Sequence, residues 1–572
     1  SRMPSRPVPA ARPTPRRRTA RRTPRRFAVP TALPAAGLAA VLLAGCSSAG
    51  PAGSGAGAEG VPVRGGTLKY AVAVGTSCLD PHVSPGDVTA VIQRNVFDSL
   101  VYLDDKGAFH PWLAKSWEIS PDARTYTFRL REGVTFHDGT AFDAAAVKAN
   151  LDHVKDPKTK SLYAASLLGP YTGAEVVEPL TVRVSFADPY VPFLQAAATP
   201  YLGIASPRSL VEKADRLCAG GADSVGTGPF KETEYVKNDH VEFRRNDAYA
   251  WAPEGAANQG APYLDGLTIR FLPEDSVRAG ALTSRQVDAA TLPVTAVRTA
   301  RAADGIEVSR TQNPGVVYSL FLNSTRGALR DERVRQAVQR AVDVEALVRS
   351  IYFGEYERAW SPLSPTTPAS YEAGLKDALP HDAAAAGRLL DEAGWSARDG
   401  DGYRVKDGKR LTLHWPYIAS LVRDQRDTLA AGIQADLKKA GIELVRDSID
   451  NGTYFRIYAS GDYDLWDNSW VRADPAILAG FYLSSSTPAA GGQNVSLSND
   501  PTLDGWLTAG AATTDPAARK ANYTKAERWA VEHGTVLPLY VTTNLIGHTQ
   551  AVRGLAFDAN AWPQFAGVWK TR

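Results

Sequence analysis

Three cysteines are all that 572 residues contain, and the nine histidines are scattered without the spacing that metal ligands need. Neither a metal nor a cofactor is expected from such a pattern. Catalytic machinery leaves no mark either: there is no Gly-x-Ser-x-Gly elbow, no His-Glu-x-x-His helix and no phosphate-cradling Gly-x-x-x-x-Gly-Lys loop. Gly55, Gly57 and Gly60 have dinucleotide-fingerprint spacing, but no strand precedes them. His137 and Asp138 stand side by side at an ordinary turn, and Asp104 and Asp105 read as a polar loop. An enzyme is not expected. No run reaches the ~20 apolar residues of a membrane-spanning helix. Acidic residues are missing from residues 1–45, which carry ten arginines and no lysine; setting that stretch aside leaves 54 basic against 61 acidic side chains, a net charge of −7. A mildly acidic body argues against nucleic-acid binding, which needs basic groups to neutralise phosphates.

The arginines have another explanation. They end at Arg26 and give way to the short apolar run Ala35 to Leu43, followed by Ala44, Gly45 and Cys46. Basic stretch, apolar stretch and small residues in that order form a secretory signal. The Leu43–Cys46 segment resembles the bacterial lipobox, in which the leader is cut before a cysteine that then takes up lipid. Residues 47–60, rich in Gly, Ala and Ser, suit a flexible tether. Arg25-Arg26-Phe27 leaves both the general and the twin-arginine export routes open. The localisation expected is the extracytoplasmic face of the cell membrane, through a lipid anchor, or the periplasm in a Gram-negative cell. Cys78 and Cys218 remain for the body, and in an oxidising compartment they are expected to pair.

A body of this length needs more than one core, since cores stop growing at roughly 250–300 residues. Residues 124–130 alternate, with Tyr126, Phe128 and Leu130 on one face, which predicts a half-buried strand. Asp138-Gly139 is a turn pair, and Asp143 stands as an N-cap ahead of Val147, Leu151 and Val154. A second strand is predicted over 181–186, and helices behind Asp331 and between Asp382 and Gly394. Strands and helices intermix, so the class is α/β or α+β.

Several segments in this order resemble the solute-binding family of ABC importers that includes dipeptide-, oligopeptide- and nickel-binding proteins. Leu113 to Ser120 with Thr125 to Thr140 is the most specific piece. Gly226 to Phe230, Asn246 to Trp251, Leu322-Asn323 with Val334 to Ala337, Asp382 to Trp395, Tyr463 to Leu465, Ser498 to Pro501 and Leu537 to Tyr540 follow it. The resemblance implies an α/β two-lobed clamshell of the large type with an inserted subdomain. Residues 1–45 would be signal and 46–61 tether. The first lobe would cover 62–311, with the insertion at about 96–204 and completion by 535–572, and the second lobe would cover 312–534. Gly226 to Phe230 would lie near the hinge. A monomer would capture a small solute, peptide before oligosaccharide, and deliver it to the importer's transmembrane subunits. The alternatives are an oligosaccharide binder, an extracellular hydrolase and a surface sensor on the same fold.

In peptide-binding relatives a tryptophan is followed closely by an aspartate that pairs with the ligand's amine. The corresponding stretch here is Asn468 to Pro475, where Asp474 falls one position late and directly before a proline, so peptide specificity does not follow from it. Trp466, Trp470, Phe481 and Tyr482 concentrate aromatic surface nearby, of the kind that lines small-molecule sites. Trp470 and Asp474 lead the expected ligand-binding residues, with Arg472 suited to an anionic group and Trp466 and Tyr482 beside them.

Overall fold

The computed structural model describes residues 60–571. The signal region, Cys46 and nearly all of the expected tether lie outside them. Alternation produces the strand Thr125–Leu130, whose Tyr126, Phe128 and Leu130 are fully buried. It pairs antiparallel with Ala114–Ile119 and Thr181–Phe186, and the last with Tyr171–Glu178, in a four-stranded sheet. The helix Ala144–Lys155 starts at Asp143, whose carboxylate accepts the Ala146 N–H at 2.9 Å. Such a cap contributes about 1 kcal/mol. Val147, Leu151 and Val154 then share one core with Tyr126, Phe128, Phe186 and Phe193, whose rings meet at 4.9 to 6.1 Å.

A seven-stranded sheet builds the first lobe, in the order Ile306–Gln312, Thr543–Thr549, Ala289–Thr291, Thr67–Val72, Gly266–Phe271, His240–Arg245, Phe230–Val236. Thr67–Val72 is parallel to both neighbours and the other pairings are antiparallel. One strand therefore comes from near the chain's end, and the lobe is discontinuous. Cys78 and Cys218 are joined as a disulfide across 140 positions. Among the described residues no helix is long and apolar enough to cross a membrane.

The second lobe is centred on Gly315–Leu322, buried at all eight positions, with Leu465–Val471 and Val536–Tyr540 antiparallel on either side. A strand covered on both faces needs such an unbroken apolar run. One face meets Glu332–Ala341, Val344–Tyr352 and Arg426–Lys439, with the parallel pair Thr412–Tyr417 and Glu443–Ser448, around Val338, Trp415 and Ile433. The other meets Ile477–Tyr482, Pro501–Ala512 and Pro516–Glu532 around Phe321, Trp466 and Tyr523. Asp331, Asp382, Asp500 and Asp515 each cap a helix by accepting a first-turn N–H.

Two expectations shift. The strand Val536–Tyr540 belongs to the second lobe's sheet, so the chain returns to the first lobe at Thr543 and not at 535. Gly226 to Phe230 lies inside the first lobe and not at a crossing between lobes. A Cβ on Gly226 would stand 2.1 Å from the Val96 carbonyl oxygen, so the loop's glycine serves a close backbone approach. The crossings are Asn313-Pro314 and Val541-Thr542, tied together by the Asn313 N–H donating to the Thr542 carbonyl at 2.9 Å.

Candidate functional site

The strand Leu465–Val471 sends successive side chains to opposite faces. Asp467 turns towards the side that holds Tyr318 and Trp415, and its carboxylate accepts the Tyr318 hydroxyl at 3.0 Å and the Trp415 indole N–H at 2.8 Å. Trp470, near the strand's end, reaches the first lobe, where its ring lies 5.1 Å from that of Tyr163. Arg472 follows it across: its Nε donates to Gln195 Oε1 at 3.0 Å, and Tyr190 stands beside the guanidinium. Arg472 is 8% exposed, and its Nη2 has no hydrogen-bond partner among the described residues. A buried donor left unpaired costs about 1–3 kcal/mol, more when charged.

The opposing wall is aromatic. Tyr163 meets Tyr201 edge-on at 4.9 Å, and the Tyr201 hydroxyl donates to Asp87 Oδ1 at 3.4 Å and to the Pro85 carbonyl at 3.2 Å. Asp87 opens the helix Asp87–Gln93. The residue is exposed by surface area, yet protein surrounds it on several sides. That surrounding pushes it up to about 6, against the nearby Arg423 of the second lobe and the Tyr201 hydrogen bond. Asp87, Tyr201, Tyr163, Trp470, Arg472 and Gln195 thus form one cluster drawn from both lobes, with Asp87 and Trp470 partly open to solvent and the other four buried.

Behind it, Arg426 donates from Nε to Tyr540 Oη at 2.8 Å and lies 3.8 Å over the Tyr318 ring. Asp424 and Gln425, just before its helix, both hold left-handed backbone at φ 53° and 55°. Non-glycine residues there store about 1 kcal/mol or more each, and persist where surrounding structure imposes them.

Three expected site residues need correction. Asp474 is 6% exposed and held by Arg519 at 2.8 and 3.1 Å while also accepting the Ala476 N–H, so its charge is compensated inside the protein and the side chain is closed to solvent. Trp466 is 2% exposed, packed against Tyr454, Tyr463 and Tyr458 at 4.4 to 5.2 Å. Tyr482, with Phe481, packs on Phe321 from the helix Ile477–Tyr482. Apolar burial claims these rings for the core of the second lobe. Cys46 lies outside the described residues.

Sequence reasoning missed Asp87, Tyr163, Gln195 and Tyr201. Nothing local marks them, because the fold assembles them from segments far apart in the chain. Among the described residues one group has metal-ligand proximity, Glu234, His240 and Glu242 within 4.8 Å on an exposed hairpin, but His240 is already bound to Asp239 at 2.6 Å. A surface cavity of about 630 Å³, lined by Gln336, Arg340, Leu389 and Glu532, touches no residue of the interlobe cluster.

Comparison with known proteins gives this geometry a context. A sequence model described as bacterial extracellular solute-binding proteins, family 5 Middle, matches residues 108–492. The glutathione-binding protein GsiB of Salmonella paratyphi A is 27% identical over 495 residues, covering 84% of this chain and 91% of its own. Among solved structures, NikA from Brucella suis in complex with Fe(III)-EDTA superposes with a TM-score of 0.76 at 28% identity, covering 88% of this chain and 100% of that one. DppA from Helicobacter pylori in complex with the peptide STSA gives 0.74 at 25% identity, covering 89% and 99%.

Proposed function

From the premise that this chain belongs to family 5 of the bacterial extracellular solute-binding proteins, we propose that it captures a peptide in the cleft between its lobes and hands it to the transmembrane subunits of an ABC importer. The observation that carries this is the cluster itself, in which Trp470 and Arg472 from one lobe meet Tyr163 and Gln195 from the other. A few polar groups set in aromatic surface is the usual composition of a small-molecule site. GsiB, named for glutathione, and DppA, held with a peptide, support peptides first. Trp470 and Arg472 are the solute-contacting residues, no reaction is catalysed, and the protein acts as a monomer on the extracytoplasmic face, anchored through lipid on Cys46. A second reading, oligosaccharide capture, draws on the part-exposed ring of Trp470, which suits stacking against a sugar.

The test is a thermal-shift screen of the exported chain carrying Cys46→Ser, expected to lose its membrane association, against di- to hexapeptides and oligosaccharides. A ligand at a hundredfold excess over its Kd stabilises by about 2.7 kcal/mol. Peptides are expected to shift the transition and Trp470→Ala to abolish the shift. A shift with sugars alone selects the second reading, and no shift with either class overturns both.

A further inference from the structure

We propose that the inserted subdomain carries a clasp for the second lobe: segment 188–195 grips Arg472 and the end of the helix Pro501–Ala512, so that the chain's own contacts set how far the lobes rest closed before any solute arrives. The resting state is a property of the protein alone, and only its effect on affinity rests on the interlobe cleft being the solute site.

The gripping side is fixed within the subdomain. Tyr190 donates its N–H to the Ala123 carbonyl at 2.9 Å and its hydroxyl to the Leu167 carbonyl at 2.9 Å, while its own carbonyl accepts the Tyr126 hydroxyl at 2.7 Å. Phe193, fully buried, packs on Tyr126, Phe128 and Phe186. Between these anchors the Val191 N–H donates to the Ala511 carbonyl of the second lobe at 2.8 Å. The gripped side is a helix end, where the last four carbonyls have no partner in their own helix. In Pro501–Ala512 the Gly510 carbonyl is taken by Arg519 Nε at 3.2 Å from within the lobe, whereas Ala511 takes its partner from the other lobe. Beside it Arg472 Nε donates to Gln195 Oε1 at 3.0 Å, and Gln195 is buried. A hydrogen bond with an ionised donor is among the stronger kind.

The Val191 contact stands apart from the crossings. Arg310 donates to Glu357 at 3.0 Å, and the Glu357 carbonyl accepts the Val541 N–H at 2.9 Å, so that tie sits on a crossing. From the other crossing the path runs from the Pro314 carbonyl to the Arg472 N–H, then through Asp474, Arg519 and Gly510 before it reaches Ala511. A hydrogen bond already at 2.8 Å cannot shorten, so a swing of the lobes about the crossings has to part it. Parted, the Ala511 carbonyl turns to water and Arg472 loses Gln195. A few such bonds bias the resting equilibrium without locking it, and the apparent dissociation constant of every solute then scales inversely with the closed fraction.

The experiment compares the Cys46→Ser chain with its Gln195→Leu and Gln195→Glu variants, by small-angle X-ray scattering without solute and by calorimetry with two peptides of different net charge that shift in the screen. Gln195→Leu is expected to raise the radius of gyration and to weaken both peptides by one common factor, about three- to tenfold. Gln195→Glu, which turns a carboxylate towards Arg472, is expected to move both readings the other way and covers the case in which Gln195→Leu does not fold. A radius of gyration unchanged in both variants would make the contact a fixed part of the hinge and overturn the clasp, while leaving solute capture intact. Weakening of one peptide with the other untouched would make Gln195 a solute contact and overturn it as well. If no peptide binds even the Cys46→Ser chain, peptide capture falls, and the scattering still decides the clasp.

Discussion

Glu527 shows how far burial alone can move a single group. Fully enclosed in the helix Pro516–Glu532, it accepts from Ser361 at 2.7 Å and from the Glu372 N–H at 3.3 Å, and its Oε2 has no partner. Burial, with the Glu372 charge adding, pushes it up to about 8 from 4.5 against those hydrogen bonds. Between these two values the folded chain holds a proton that the unfolded chain has released, so stability falls as pH rises across the window, by up to about 5 kcal/mol. Glu527→Gln is expected to remove about a third of the decline in urea denaturation midpoints between pH 5 and pH 8. Asp98 and Glu232, both raised by burial to about 7, and Asp87 and Asp558, raised to about 6, carry the remainder. A slope unchanged in Glu527→Gln would show Glu527 ionised in the native state. None of this was visible in the sequence, where Glu527 is one polar residue on a polar-rich helix. Asp474 was misread for the same reason: its partner Arg519 stands 45 positions later, and no spacing rule links them. Trp470 and Arg472 were picked out through the stretch Asn468 to Pro475 that corresponds to the relatives' motif, and both reach the first lobe.

At the scale of elements the sequence spoke more clearly. Alternation predicted Thr125–Leu130 and Thr181–Phe186, and aspartate caps marked the starts of Ala144–Lys155, Glu332–Ala341 and Ala383–Glu392. These signals are local, so they survive without knowledge of the fold. Which segment joins the lobes is not local. Gly315 opens the central strand of the second lobe at φ +102°, and a Cβ there would stand 2.3 Å from the Trp470 carbonyl oxygen and 2.6 Å from the Arg472 nitrogen. Gly315→Ala must either push that backbone away or strain its own, at a cost of about 2 kcal/mol or more. A clear drop in melting temperature together with weaker solute binding is expected, because the displaced atoms belong to the two residues that reach the first lobe. Unchanged binding would separate the strand's start from the site.

The whole molecule is held by ties that skip long stretches of chain. The Cys78–Cys218 disulfide closes a loop that contains the four-stranded sheet and its helix. In the chain-entropy account a loop of this length contributes about 4–5 kcal/mol. Replacing both cysteines by serine should lower the melting temperature and make it insensitive to reductant, and equal stability with and without reductant in the native chain would show the bond to be absent. That the chain is two-lobed was readable from the order of its motifs, yet the return point at Thr543 was not, since strands at 536–540 and 543–549 look alike until pairing sorts them into different sheets. The same return point has a mechanical consequence. Two crossings bonded side by side, Asn313 to Thr542, set both chain passages between the lobes on one line, the line about which a swing of one lobe would disturb the least backbone.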